Sequence, residues 1–496
     1  MQVCPDLGQS VGLHRLLPEA QIVGPSDIAI SGCTCDSRQV RGGELFAALV
    51  GSHHDGHDFV AEAAARGCAA VLSERPAPDV AVPWCIVPNA RAAYSRLCHT
   101  LAGAPSRQLK LIGVTGTNGK TTTSCLIAGV LSAAGHRVGV MGTLGYLDGR
   151  IVEPATHTTP PPERLATLLA RMVGNECSHA VMEVSSHALD QSRVAGATFD
   201  AACVTNVTHD HLDYHADWHA YRTAKGKLFD HLAEEGFAVL NADDPGSAEY
   251  LRWLECPTLT VGIQAAAEIT ATPVEQCRSE QIFLLTAGSE TVPVRTQMIG
   301  THHIYNCLTA AAVGLAYGID LTTVVRGLES VGHVPGRLER IECGQPFGVF
   351  VDFAHTPDAL SGVLKTLAQV TSGRILCVFG AGGQRDRQKR PRMGRAVEQA
   401  AQVAILTNDN PRHEDPQAIF DDVLEGFHNR RIVAVIPDRV AAIHRALAAA
   451  RPGDSVLIAG KGHEKQQIIG DQHVPLDDCE VAREWLYAAG ARELGI

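Results

Sequence analysis

The residues best suited to chemistry form the run Thr115-Gly116-Thr117-Asn118-Gly119-Lys120-Thr121-Thr122. The apolar stretch 111–114 precedes this run, and apolar residues at helical spacing follow it between 126 and 134. This order predicts a strand, a glycine loop and a helix. Such a loop directs backbone N–H groups and the positive end of the helix towards a phosphate, while Lys120 adds a mobile charge and the Thr121 hydroxyl suits Mg²⁺. The pattern therefore predicts a nucleoside triphosphate site, for either ATP or GTP.

Length and composition limit the class of protein. A chain of 496 residues exceeds a single core and predicts three domains of roughly 100 to 200 residues. The net charge of −12 disfavours a nucleic-acid partner or an anionic membrane surface, since either would require a basic face. No apolar stretch approaches the ~20 residues of a membrane span, and the fifteen cysteines include no CxxC pair. We expect a cytoplasmic protein with reduced thiols and no membrane partner.

Three blocks follow one another along the sequence. Residues 1–106 contain short strand-like runs and a predicted helix at 59–65, and residues 107–340 begin with the phosphate loop and alternate strands with helices. In residues 341–496 five apolar runs alternate with helical stretches, which predicts a doubly wound parallel sheet. The main predicted strands are 180–184, 201–205, 349–352, 374–379, 403–407, 432–436 and 455–459.

Polar residues at the ends of these strands are the candidate ligands, because binding sites gather at the carboxyl edge of such sheets. Glu183 lies inside an apolar run, where a carboxylate is costly unless it meets a cation, and Mg²⁺ beside the phosphates would supply one. The next strand leads into four histidines, which leave open a zinc cluster, a single magnesium-ligating histidine or a set of surface histidines. These histidines are His209, His211, His215 and His219.

The third block places opposite charges at one edge of its predicted sheet. Arg390, Arg412 and Glu464 all lie in segments that follow predicted strands. A pocket that combines arginines with a carboxylate can hold carboxylate and ammonium groups together. The pattern favours a zwitterionic amino acid as ligand over solvated loop charges.

Taken together, the motifs resemble the Mur ligases, ATP-dependent amide-bond-forming enzymes of peptidoglycan synthesis, and within them the MurE family. The resemblance covers almost the entire chain. It implies a three-domain α/β Mur ligase architecture, with a UDP-substrate-binding domain at 1–106, a central phosphate-loop ATPase-like domain at 107–340 and a Rossmann-like amino-acid-binding domain at 341–496. The matching motifs are 36–38, 55–59, 115–122, 158–160, 182–187, 206–213, the segment around Lys225, 336–337, 352–357, 409–412 and 460–464.

The resemblance also implies roles for individual residues. The catalytic and metal-binding set would be Lys120, Thr121, Glu183, His211 and a carbamylated Lys225. ATP would be bound by Gly116, Thr117, Asn118, Gly119, Lys120, Thr121 and Thr122, with Asn306 and Asp352 at the nucleoside and Arg337 at the phosphates. Ser37 would contact the UDP end, and Thr158, Thr159, Ser185, Gln191 and Arg193 the muramoyl-dipeptide. The amino acid would be bound by Arg390, Asp409, Asn410, Pro411, Arg412, Gly460 and Glu464.

Three positions depart from the family pattern. His303 stands where asparagine is common, Phe353 where tyrosine is common, and Gln384 where an aspartate usually precedes Arg385. The first weakens the expectation of an adenine contact at position 303. The other two concern residues beside the expected ligands.

A two-step reaction with ATP and Mg²⁺ is what the resemblance implies. The D-glutamate side-chain carboxylate of UDP-N-acetylmuramoyl-L-alanyl-D-glutamate would form an acyl phosphate, which the amine of meso-diaminopimelate would then attack. Arg412 would select diaminopimelate, because a ligase for L-lysine must not attract a distal carboxylate. The alternatives are an L-lysine-adding ligase, a folylpolyglutamate synthase-like ligase and a nucleotide-binding regulatory protein without turnover. We expect a monomer.

Overall fold

A computed structural model describes residues 11–25, 28–51, 54–76, 82–208, 210–211 and 214–493, although not the side chains of 491–493. Its strands form sheets of five, eleven and six strands and two short two-stranded ribbons. The three sheets follow one another along the chain, as the three predicted blocks do. Across the described part of the chain, no helix combines the length and the apolar character that a membrane crossing requires.

The first sheet has the strand order β2-β7-β6-β5-β4, with β2 antiparallel to β7 and the other pairs parallel. The predicted helix at 59–65 is confirmed, since a helix occupies Val60–Ala65. The elements are β1 Val11–Gly12, α1 Leu13–Leu16, β2 Gln21–Val23, β3 Ala29–Ile30, β4 Gly32–Thr34, β5 Glu44–Ala47, α2 Val60–Ala65, β6 Ala70–Ser73, β7 Trp84–Ile86 and α3 Ala90–Leu101.

The central sheet is parallel in its middle, from β9 to β16, and antiparallel at both ends. Apolar residues of α4, α9 and α10 pack on one face and those of α5, α6 and α7 on the other. The elements are β8 Lys110–Thr115, α4 Lys120–Ala133, β9 Val138–Gly142, β10 Gly145–Leu147, β11 Val152–Glu153, α5 Pro162–Gly174, β12 His179–Glu183, α6 Ser186–Asp190, β13 Phe199–Val204, α7 Trp218–Gly226, β14 Leu232–Asn241, α8 Pro245–Ala248, β15 Thr258–Gly262, β16 Ile269–Gln276, β17 Gln281–Ala287, β18 Glu290–Thr296, α9 Thr301–Ala316 and α10 Leu321–Ser330.

The third sheet has the order β19-β20-β24-β21-β22-β23, in which only β19 is antiparallel. Helices α11 to α13 cover one face and α14 and α15 the other, so the predicted doubly wound sheet is confirmed. The elements are β19 Glu339–Arg340, β20 Gly348–Asp352, α11 Pro357–Val370, β21 Ile375–Phe379, α12 Lys389–Ala400, β22 Val403–Leu406, α13 Pro416–Leu424, β23 Val433–Val435, α14 Arg439–Ala449, β24 Ser455–Ala459, β25 Gln466–Ile469, β26 Gln472–Pro475 and α15 Asp478–Glu493.

The chain passes from the central sheet to the third sheet through a tight turn at Gly336. Its φ of +65° lies in the left-handed region, and a Cβ at this position would lie 2.2 Å from the backbone nitrogen of His463. The carbonyl of Gly336 accepts a hydrogen bond from the Phe353 N–H at 2.9 Å. The predicted domain boundary after residue 340 stays a prediction, and β19, which precedes it, already pairs with the third sheet.

Candidate active site

The phosphate loop joins the end of β8 to the first turn of α4, as the sequence predicts. Gly116 and Gly119 have φ values of +147° and +85°, which residues other than glycine rarely adopt. Space is equally limiting, because a Cβ on Gly116 would lie 1.9 Å from Thr205 Oγ1 and one on Gly119 would lie 2.5 Å from Asn306 Oδ1. The loop therefore requires glycine at both positions. The N–H groups at the N-terminus of α4 can bind a phosphate there.

Two lysine ammonium groups meet at this loop. Lys120 Nζ donates to the carbonyl oxygens of Gly116 and Thr117 at 2.8 and 3.0 Å, and Lys225 Nζ donates to the same Gly116 oxygen at 2.7 Å. Lys225 is buried beside the ring of Tyr221. Burial lowers the pKa of Lys225 well below that of an ordinary lysine, and the nearby charge of Lys120 lowers it further. A lowered pKa increases the share of the nucleophilic free amine, which suits the carbamylation implied for Lys225.

Glu183 ends β12 directly beside the loop, with its carboxylate buried. Its Oε2 accepts hydrogen bonds from Thr121 Oγ1 at 2.9 Å and Thr143 Oγ1 at 3.2 Å, and Oε1 accepts one from the Thr143 N–H at 2.7 Å. The structure therefore joins Thr121 and Glu183, two residues of the predicted metal set. Carboxylate and hydroxyl oxygens are the ligands that Mg²⁺ prefers, so this pair fits the ion.

The described histidines of the segment 209–219 differ from one another in burial. His211 has a φ of +54° and a half-buried ring whose centroid lies 4.9 Å from that of His187, and burial lowers its pKa. His215 is buried, His219 is exposed, and His209 lies outside the described residues. Within the part of the chain that the structure describes, no group of three or more histidine, cysteine or acidic residues could hold a metal ion.

The residues expected at the muramoyl-dipeptide lie together beside Glu183. Thr159 Oγ1 donates to the Glu183 carbonyl at 2.8 Å and accepts from the Ser185 N–H at 3.0 Å. Arg193 donates to the Thr159 carbonyl at 3.2 Å and to Gln191 Oε1 at 2.8 Å. Thr158 Oγ1 lies 3.2 Å from Thr143 Oγ1, on the far side of the same carboxylate.

A cavity of about 170 Å³ lies between the first and central sheets. Its walls include Leu49, Arg91 and Tyr94 from the first block and Gln191 and Arg193 from the central one. This is the place where a substrate that spans both blocks would lie. Ser37, which the resemblance puts at the UDP end, is buried, and its hydroxyl already donates to Glu62 Oε2 at 2.7 Å.

A second cavity, of about 270 Å³, adjoins the phosphate loop at Asn118 and Gly119. Asn306 lines it as expected for a nucleoside contact, together with His302 and Tyr305 of the same helix. The Asn118 N–H is held by Asn206 Oδ1, the Thr117 hydroxyl accepts from Tyr221, and Thr122 is buried inside α4.

Asp352 does not line this cavity, and its expected contact with the nucleoside stays a prediction. It is buried at the end of β20, and its two oxygens accept the N–H groups of Leu338 and Ala354 at 2.6 and 2.7 Å. Burial raises the pKa of Asp352, although Arg337 opposes this effect. Through these two hydrogen bonds, Asp352 stabilises the segment that connects the central sheet to the third sheet.

Arg337 reaches back from this join to the phosphate loop. Its Nη2 donates to Thr121 Oγ1 at 3.0 Å, and its guanidinium lies 4.8 Å from the centre of the Phe353 ring. The arginine therefore lies beside the phosphate loop, and its role at the phosphates stays a prediction. His303, which replaces the common asparagine, is buried nearby, and neither of its ring nitrogens has a hydrogen-bond partner among the described residues.

The amino-acid loop follows β22, and Arg412 within it has a φ of +54°. Arg412 Nη1 donates to the Gly383 carbonyl at 2.8 Å, and burial, followed by the charge of Arg385, lowers the pKa of Arg412. A Cβ on Gly382 would lie 3.3 Å from Arg412 Nη1 and 3.6 Å from Arg385 Cγ, so the two arginines flank this glycine. Sequence reasoning missed Arg385. The available signal was its place in the glycine loop that follows β21.

The remaining residues of this loop pack tightly. Asp409, Asn410 and Pro411 are buried, and a Cβ on Gly460 would lie 2.5 Å from Asp409 Oδ2. Glu464 keeps 33% of its side chain exposed. The structure therefore brings Arg412 and Glu464 to one edge of the sheet, as predicted.

Arg390 requires a correction. Its side chain is fully buried in α12, and its guanidinium pairs with Glu414 at 2.7 Å and Asp422 at 2.8 Å. A second nitrogen donates to the Gly382 carbonyl at 3.2 Å. Glu414 also accepts the N–H of Gln384 at 2.8 Å. The charge of Arg390 is neutralised inside the protein, so this residue does not face a carboxylate ligand. Its contacts instead stabilise the two loops that carry Arg385 and Arg412.

Comparisons with known proteins place the whole chain among Mur ligases. Residues 29–100 match the Mur ligase family, catalytic domain, residues 114–314 the Mur ligase middle domain, and residues 336–462 the Mur ligase, glutamate ligase domain. The UDP-N-acetylmuramoyl-L-alanyl-D-glutamate–2,6-diaminopimelate ligase of Bacillus cereus is 42% identical, over 95% of this chain and 98% of its own. The enzyme of that name from Geobacillus thermodenitrificans is 44% identical over 90% and 93%. A solved structure of a ligase of that name aligns with a TM-score of 0.69 and 32% identity, covering 97% of this chain and 100% of that one.

Proposed function

Since the chain belongs to the Mur ligase family, we propose that it joins meso-diaminopimelate to the D-glutamate side-chain carboxylate of UDP-N-acetylmuramoyl-L-alanyl-D-glutamate, using ATP. The reaction is a cytoplasmic step of peptidoglycan precursor synthesis. One observation carries the proposal beyond the relatives' names. The hydrogen bond from Arg337 Nη2 to Thr121 Oγ1 links the turn that leads into the third sheet, whose edge carries Arg412 and Glu464, to the phosphate loop.

In the first step an oxygen of the D-glutamate carboxylate attacks the γ-phosphorus of ATP, and ADP leaves. Lys120 and the loop N–H groups hold the phosphates in line with the carboxylate, while Arg337 neutralises charge that moves onto the leaving oxygen. Arg193 and Thr159 lie on the substrate side of Glu183 and orient the dipeptide. The product of this step is an acyl phosphate.

In the second step the amine of diaminopimelate attacks the acyl carbon, and phosphate leaves. The arginines beside Gly382 bind carboxylate, and Glu464 binds ammonium. Because Arg412 and Glu464 lie at the same sheet edge, a zwitterion can contact both. L-Lysine lacks the distal carboxylate that a second arginine can bind, so we propose diaminopimelate as the preferred amino acid.

Mg²⁺ fits the oxygens of Thr121 and Glu183, and when bound it would neutralise negative charge on the phosphates. Lys225 and His211 would complete the set, with Lys225 as a carbamate. A buried neutral amine reacts with CO₂ to give a carbamate and a proton, which converts a potential positive charge into a negative one. That change suits a site that must hold a divalent cation.

The experiment is phosphate release from ATP by the purified chain. Release should require UDP-N-acetylmuramoyl-L-alanyl-D-glutamate and diaminopimelate together, and mass spectrometry should find the amide product. L-Lysine in place of diaminopimelate tests the alternative amino acid. Steady ATP hydrolysis without either substrate, or preferential use of lysine, would contradict the proposal.

A further inference from the structure

The loop at 460–465, which follows β24 and lies beside the amino-acid loop, contains a buried ammonium group. Neither step of the proposed reaction assigns this group a role. Lys461 follows Gly460 after β24, and its side chain is completely buried. Its Nζ donates to Glu464 Oε2 at 2.8 Å and to Asn410 Oδ1 at 3.0 Å. A buried ammonium is stable only when it is paired and hydrogen-bonded, and these two contacts supply both conditions.

The two partners of Lys461 also bind each other. Asn410 Nδ2 donates to Glu464 Oε2 at 2.8 Å, and Asn410 Oδ1 accepts the Ile468 N–H at 3.0 Å. Lys461, Asn410 and Glu464 therefore form a closed triangle that is anchored to β25. Glu464 Oε2 receives two hydrogen bonds within this triangle. Among the described residues no hydrogen bond reaches Oε1, so the partly exposed Glu464 side chain can offer that oxygen to a ligand.

This arrangement gives the carboxylate of Glu464 and the guanidinium of Arg412 separate hydrogen-bond partners. A pocket for a zwitterion needs an anionic and a cationic side, but such side chains attract each other and can neutralise one another. Arg412 lies close enough to Glu464 for the two charges to interact. Arg412 instead donates to the Gly383 carbonyl, and Glu464 is bound by Lys461.

We propose that Lys461 is a positioning residue that holds Glu464 away from Arg412 and so keeps the two sides of the amino-acid pocket separate. This inference rests on the proposed function, because it assigns the pocket to a zwitterionic amino acid. Loss of the ammonium frees Glu464 to pair with an arginine. The pocket then loses its affinity for the amino acid while the nucleotide site is unchanged.

Lys461→Met tests the inference, since methionine fills similar space without the charge. We expect the KM for diaminopimelate to rise about tenfold or more, while the KM for ATP and for the UDP substrate changes little. Lys465→Met is the matched control, because Lys465 lies in the same loop with 83% of its side chain exposed. All three KM values should be unchanged in the control.

A double-mutant cycle with Glu464→Gln separates positioning from general stability. If Lys461 acts through Glu464, the double variant should bind diaminopimelate no worse than Glu464→Gln alone. Hydroxylamine, which traps the acyl phosphate as a hydroxamate with release of phosphate, provides a readout that needs no amino acid. Its rate in Lys461→Met should remain close to that of the wild type.

Additive losses in the cycle would overturn the inference. So would a uniform rise in all KM values with a lowered melting temperature, which would make Lys461 a purely structural residue. Absence of hydroxamate formation by the wild type would contradict the proposed function itself. The two failures are therefore distinguishable.

Discussion

The nucleotide half and the amino-acid half of the site handle positive charge differently. Beside the phosphate loop, Lys120 and Lys225 donate to backbone carbonyl oxygens. Beside the amino-acid loop, the buried cations Arg390 and Lys461 pair with carboxylates of the protein itself. In the first half the Lys120 charge is left for a ligand, whereas in the second half the cations fix the loops on which less buried residues meet the ligand. Burial of a basic residue therefore does not by itself identify its role, and its partners do.

The largest expected effect is that of Lys120→Ala. Removal of a charge that the protein does not neutralise should lower kcat by about 100-fold or more, because charge developing on the phosphates loses a preorganised partner. The melting temperature should stay close to that of the wild type. Phosphate release and circular dichroism measure the two quantities. Lys110→Ala is the control at the other end of β8, where the lysine is 57% exposed. Wild-type turnover in a folded Lys120→Ala protein would refute the assignment of the loop.

Lys225→Ala should come next. Most activity should be lost, because a carbamate that helps to hold the cation is missing, and short carboxylic acids such as acetate should restore part of it by occupying the vacated space. Turnover with and without acetate is the measurement. Lys227→Ala, a half-exposed neighbour paired with Asp190, serves as control. Full activity of Lys225→Ala without any added acid would exclude the carbamate.

Arg412→Ala should change the choice of substrate. Truncation of one partner of a desolvated charge pair costs ~2–5 kcal/mol, and each ~1.4 kcal/mol is tenfold. The kcat/KM for diaminopimelate should therefore fall by about 30-fold or more, with little change in the KM for ATP.

L-Lysine should be a poor substrate of the wild type and should gain in relative terms in Arg412→Ala, because the guanidinium no longer repels its ammonium. Kinetics of both amino acids with both proteins measure this shift. Arg430→Ala, an exposed arginine of the same domain, controls for loss of surface charge. An Arg412→Ala protein that keeps the rate and preference of the wild type would place specificity elsewhere.

Arg390→Met should have the smallest effect on catalysis and a clear effect on stability. Removing one partner of a buried ion pair costs ~3–5 kcal/mol, whereas Arg387→Met, which removes an exposed partner of the same Asp422, should change stability much less. Urea unfolding gives both values. A rise in the KM for diaminopimelate as large as that of Arg412→Ala, without loss of stability, would restore Arg390 as a ligand of the substrate.

Sequence reasoning succeeded where function depends on neighbours along the chain or on adjacent strands. The phosphate loop is a local motif that follows β8. Glu183 of β12 lies opposite Val114 of β8, so the proximity of Glu183 to Thr121 follows from the order of the strands in the sheet. The alternation of apolar runs with helices was sufficient to predict the doubly wound third sheet.

It failed where a side chain's partner lies on a different element. Arg390 and Arg385 lie five residues apart, and only the position of Glu414 and Asp422 shows that the first is neutralised. Arg385 and Arg412 both lie beside Gly382, although they are distant from each other in sequence. The backbone N–H groups that donate to the Asp352 carboxylate likewise become visible only in three dimensions.

The turn at Gly336 has a consequence for how the two halves work together. Because a single methyl group there would collide with the backbone of His463, the turn can pack against the loop after β24 only at a position with no side-chain volume. Arg337, the next residue, depends on that packing to reach Thr121. The contact between Arg337 and the phosphate loop thus depends on the absence of a side chain at a residue that takes no part in either step.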